Sequence, residues 1–123
     1  NPAAYGTNFL NTLAEAQAFV ERVDHPAVTL ILDLGAMHMN GQFGEIAEHV
    51  ATAAPRLSHV HVSEPQLAPA PAEAQAFAPV LSALATAGYD RAVSIEMKRA
   101  ERGLEALAES LARLNQARAE CAL

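Results

Sequence analysis

Apolar residues along the chain follow two different periods, and each change of period marks a change of element. Leu13, Ala16, Phe19, Val20 and Val23 recur at intervals of three and four, which predicts a helix over residues 12–23 with one apolar stripe laid against a sheet. Thr12, with Glu15 three residues on, has the spacing of a capping box at its start. Asp24-His25-Pro26 breaks that period. Residues 28–34 (VTLILDL) follow as an almost unbroken β-rich run, the pattern of a strand covered on both faces in a parallel sheet. The Gly- and Met-containing stretch 35–44 reads as a loop, and 45–54 as a shorter helix stopped by Pro55. In residues 57–63 (LSHVHVS) polar and apolar positions alternate, giving a second strand. Three prolines in residues 64–71 predict an ordered loop, and residues 73–87 a long helix with Pro79 near its start or at a kink. Gly88 then stands as a C′ glycine. Residues 92–97 (AVSIEM) form a third short strand, and 101–119 a closing amphipathic helix with Leu104, Leu107, Leu111 and Leu114. Residues 1–10, with Pro2, Gly6 and Asn8, read as an irregular approach.

The order is helix, strand, helix, strand, helix, strand, helix. This strict alternation predicts an α/β fold of parallel strands joined by right-handed helical crossovers. Composition agrees: 51% of residues are hydrophobic and 18% charged, and 28 of 123 are alanine, which suits helices packed closely through small side chains. The net charge of −6 repels a phosphate backbone, and no basic stripe offsets it, so no nucleic-acid partner is expected. The longest apolar run, residues 27–32 with one Thr inside, falls far short of the ~20 residues that cross a bilayer. Cys121 has no partner for a disulfide, which fits a cytoplasmic location. Asn1-Pro2 carries neither an initiator Met nor a basic leader, so the chain is expected to begin within a longer protein, after processing, or at an introduced boundary.

The chemistry gathers where the strands end. The first strand carries Asp33 there, the second His59 and His61, and the third Glu96 followed by Lys98. In β/α folds the loops after the strands build the active site. Because residues two apart share a face, His59, His61 and Ser63 lie on one side of their strand and Val60 and Val62 on the other. The same rule puts Ser94, Glu96 and Lys98 together. Asp33, His61 and Glu96 are therefore expected to converge, and two carboxylates with an imidazole are a ligand set for Mn²⁺, Co²⁺, Zn²⁺ or Mg²⁺. His38, Glu64 and Lys98 are candidates for holding substrate at the rim. His59, one pair deeper, belongs with them as a group hydrogen-bonded behind the ligands. Met37, Met39 and Phe43 offer either a lid or ordinary gap filling, and His25 and His49 read as surface residues.

The motifs LILDLG (30–35), HVHVSE (59–64) and GYDRAVSIEMK (88–98), with the opening NPAAYGTNFLNT (1–12), resemble the xylose-isomerase-like TIM-barrel superfamily of sugar isomerases and epimerases. The resemblance runs over nearly the whole chain. It implies the C-terminal half of a (β/α)8 barrel, from the helix after strand five to the helix after strand eight, since a closed barrel needs about 250 residues. It implies a divalent metal held by Asp33, His61 and Glu96 together with a Glu ending strand five, just before Asn1. Glu96 would also be one of two carboxylates that move a proton between adjacent carbons of a sugar or hydroxy acid. The expected activity is thus a divalent-metal-dependent isomerase or epimerase, with a homo-oligomer left open. Two alternatives stand beside it: an endonuclease-four-type phosphodiester hydrolase, and a catalytically inert barrel fragment or binding module. An Arg that often follows the strand-seven motif in ketose epimerases is not evident after Glu64.

Overall fold

A computed structural model describes residues 1–121. Helix α1 (Leu13–Val23) begins at the predicted cap: the Thr12 hydroxyl accepts from the Glu15 N–H at 3.2 Å, and the Glu15 carboxylate accepts from the Thr12 N–H at 3.3 Å. Then come β1 (Leu30–Asp33), α2 (Leu34–Met39), α3 (Ile46–Ala53), β2 (Leu57–Val62), α4 (Ala74–Thr86), β3 (Ala92–Ile95) and α5 (Leu104–Glu120). The three strands form one parallel sheet in the order β1-β2-β3, so the expected α/β architecture with helical crossovers stands. Pro79 lies inside α4, and the helix runs on to Thr86.

One face of the sheet carries the core. Leu32, Val60 and Val62 are fully buried with Val50 from α3 and Phe77 and Val80 from α4. The other face is open. Ile31 is 48% exposed, which corrects the expectation that the first strand is covered on both sides. Covering a strand twice takes a layer on each side, and this chain packs its core on the Leu32, Val60 and Val62 side only.

Two further expectations are corrected. Residues 35–44 are not a plain loop, because α2 starts directly after Asp33, whose carboxylate caps it by accepting from the Ala36 N–H at 2.7 Å. Of the two roles open for Met37, gap filling is the one its burial in the core fits. On α5 most of the leucine stripe is not the packed face: Leu104, Leu107 and Leu111 are exposed, only Leu114 packs against the core, and the buried positions are Ala106, Ser110 and Ala117. Small side chains let α5 approach α4 closely, and a leucine row there would hold the two helices apart. Of the α1 stripe only Leu13 and Val20 are buried, Ala16 is partly buried against the core, and Phe19 turns outward and meets Phe9 edge to face.

Candidate functional site

Parallel register sets the geometry of the rim. Asp33 pairs with His61, and His61 with Ser94. The pairing continues one step past β3, since the Glu96 N–H donates to the Val62 carbonyl at 3.0 Å. Alternation then returns the Glu96 side chain to the His61 face. The result is that His61 Nδ1 lies 3.0 Å from Glu96 Oε2 and 3.6 Å from Asp33 Oδ2. One ligand atom from each residue lies within 4.8 Å of the other two. The three side chains are partly open to solvent, at 29% for Asp33, 26% for His61 and 43% for Glu96. Two carboxylates at that spacing repel by on the order of 3 kcal/mol at an effective dielectric of about 20. A single imidazolium offsets one of those charges; a divalent cation offsets both. Oxygen, oxygen and nitrogen donors of this kind fit Mn²⁺, Co²⁺, Zn²⁺ or Mg²⁺.

Asp33 is held from behind. Its Oδ1 accepts from the Ala36 N–H at 2.7 Å and from the Ser63 hydroxyl at 2.8 Å, which leaves Oδ2 facing His61. Ser63 is buried and itself accepts from the Gly35 N–H at 2.8 Å. Sequence alternation put Ser63 on the His61 face but did not show this contact with Asp33. Gly35 sits so close to the turn after β2 that an added Cβ would lie 2.7 Å from the Glu64 carbonyl oxygen. Gly35→Ala is accordingly expected to destabilise the intact protein by about 1–3 kcal/mol through overpacking. Urea unfolding checks this, and a change below a few tenths of a kcal/mol would show that the turn relaxes freely.

The other predicted residues take different places. Glu64 stays at the rim, its Oε1 accepting from the Ala72 N–H at 2.8 Å. His59 lies a layer below His61, with Nε2 at 2.6 Å from the Ser94 hydroxyl and its ring edge-on to His61 at 5.0 Å. His38 is on α2, exposed, and stacks on Phe43 with ring centres 4.0 Å apart. Lys98 lies beyond the strand; its N–H donates to the Leu67 carbonyl at 2.8 Å and the residue is exposed. A cavity of about 520 Å³ runs down the open side of β1, lined by Asp33, His61, Glu64 and Glu96 at the rim and by apolar residues such as Ile31 and Leu10 below. His38, His59 and Lys98 lie outside that lining. After β3 the chain is tied to α5 by a two-pronged pair, Arg102 to Glu109. The Arg102 hydrogen bond is the main cause that holds the Glu109 carboxyl below its ordinary range. His49, expected at the surface, is 19% exposed, and its Nε2 is buried without a hydrogen-bond partner among the described residues.

A family profile described as "Xylose isomerase-like TIM barrel" matches residues 1–117. The chain belongs to that family. Among curated proteins it is 40% identical over 60 residues to L-ribulose 3-epimerase of Methylomonas sp. (strain DH-1), a match over 49% of this chain and 20% of that protein. Among solved structures it resembles 3-keto-D-glucoside 4-epimerase from E. coli, with a TM-score of 0.77 and 24% identity over 89% of this chain and 41% of the other. It also resembles an L-ribulose 3-epimerase structure, with a TM-score of 0.62 and 26% identity over 86% of this chain and 35% of the other. The chain therefore spans less than half the length of each of these xylose isomerase-like relatives. Its three strands and their helices form part of a β/α barrel.

Proposed function

We propose that the protein carrying this chain is a divalent-metal-dependent sugar isomerase or epimerase, and that the chain is the C-terminal half of its barrel. The observation that carries the reading is the convergence of Asp33, His61 and Glu96 on one point, at the strand ends and at the mouth of an open cavity. Family membership supports it, as do relatives that are named as sugar epimerases. Asp33, His61 and Glu96 are the residues that hold the cation, and a bound cation supplies a Lewis acid for a carbonyl and its neighbouring hydroxyl. Glu96, the most open of the three, takes and returns a proton on adjacent substrate carbons. Its partner is a carboxylate at the end of the strand preceding α1. Glu64 faces the same cavity with one oxygen anchored, and its other oxygen is placed to accept from a substrate hydroxyl. His59 steadies the site from below, and His38 and Lys98 are outer contacts. The substrate class is a small hydroxy-carbonyl compound, a sugar or hydroxy acid, and the lone cysteine supports a cytoplasmic setting. No helix among the described residues is long and apolar enough to cross a membrane.

Net charge of −6 counts against the phosphodiester hydrolase alternative. Metal analysis of the intact protein tests the reading. Retained metal is expected to fall to background in Asp33→Ala and His61→Ala, and undiminished metal in both variants would remove these residues as ligands.

A further inference from the structure

We infer that Ser63 is a positioning residue for the Asp33 carboxylate, and through it sets the affinity of the rim for a divalent cation. The inference rests on the metal-centre reading above. Ser63 follows β2, is 4% exposed, and places its hydroxyl between two partners on the neighbouring strand and helix. A serine hydroxyl has one proton to give. The Gly35 N–H points at the oxygen from one side at 2.8 Å and can only donate, so the hydroxyl acts there as acceptor. Its single proton is free for Asp33 Oδ1, also at 2.8 Å. With the Ala36 N–H on the same oxygen, Oδ1 is satisfied twice over, and the carboxylate is turned so that Oδ2 faces His61 Nδ1. Ser63 thus joins the turn into α2 to the end of β2 at the point where Asp33 and His61 must meet. Alanine at this place removes the donor from Asp33 and the acceptor from Gly35 together. Partners that orient a metal ligand in this way commonly change metal affinity by about 10- to 100-fold when removed.

The test is a titration of the chelator-stripped intact protein with Mn²⁺ alone, free ion being read by electron paramagnetic resonance, alongside the thermal unfolding midpoint without metal. Ser63→Ala is expected to weaken Mn²⁺ binding by about 10- to 100-fold, while Ser63→Thr, which keeps the hydroxyl, stays within a few-fold of wild type. Wild-type affinity in Ser63→Ala overturns the inference and leaves the metal centre standing. If wild type itself binds no Mn²⁺, the metal-centre reading fails and the inference with it. Equal loss of affinity in both variants, with equal falls in unfolding midpoint, shows a merely structural serine and also overturns it. Should Ser63→Ala not fold, Ser63→Thr decides alone: near-wild-type binding supports the inference, and lost binding at an unchanged midpoint overturns it.

Discussion

Glu96→Gln in the intact protein is expected to lower turnover by about 10²- to 10⁴-fold, the usual contribution of a positioned proton-transfer group. Glutamine matches glutamate in length and keeps a carbonyl oxygen at the rim. What it loses is the charge and the ability to carry a proton. The backbone at Glu96 is locked to β2 by its N–H bond to the Val62 carbonyl at 3.0 Å, so the substitution leaves the residue in place and changes its chemistry alone. The direct measurement is solvent exchange: ketose substrates incubated in D₂O with wild type should gain deuterium beside the carbonyl, followed by NMR. Exchange in Glu96→Gln at the wild-type rate would remove Glu96 from the proton path. Metal content measured on the same samples separates the two roles proposed for this residue. Loss of exchange with metal retained isolates the proton transfer, and loss of both isolates ligation.

Phe77→Ala is expected to destabilise the intact protein by about 3–5 kcal/mol. Phe77 is the largest of the fully buried side chains, 2% exposed on α4, and it belongs to the same apolar cluster as Val60, Val62, Val80 and Leu84. Val60 and Val62 lie on the core face of the strand whose opposite face carries His59 and His61. Removing the ring therefore leaves a void directly behind the site, and the surrounding strand and helix refill it only in part. Urea unfolding followed by circular dichroism reads the loss. A change under about 1 kcal/mol, typical of an ordinary substitution, would show that the core does not depend on this ring.

Much of the architecture was legible in the pattern of residues. The capping box of Thr12 and Glu15 is a contact over three residues, and it is present as expected. The alternation His59, Val60, His61, Val62 assigns two residues to the rim face and two to the core with no knowledge of any neighbour. Val60 and Val62 are indeed buried, and both histidines are more open. The convergence of Asp33, His61 and Glu96 was readable because parallel strands of similar length bring their C-terminal ends to one edge.

The helix faces were less legible. The leucines of α5 satisfy a helical period, yet the period says only that they share a side, and the alanine and serine positions form another regular side. Which side packs is decided by the separation that α4 permits. Helix α2 was hidden for a related reason: it is only six residues long with the poor helix former Gly35 in its first turn, and it is started by the Asp33 cap and fastened by Ser63 from the end of β2.

By itself, then, the sequence determined the alternation of the three strands with α1, α3, α4 and α5, the parallel sheet that such alternation implies, and which residue types reach the rim, which follows from backbone periods of two and of about 3.6. Tertiary structure alone decided that Asp33 turns Oδ2 toward His61, that His38 stacks on Phe43 away from the cavity, and that Ser63 closes the contact between β2 and α2. The contacts of Ser63 with Gly35 and Asp33 join residues 28 and 30 apart in the chain, and the His38 stack depends on the path the chain takes from α2 to Phe43; no local period carries that information.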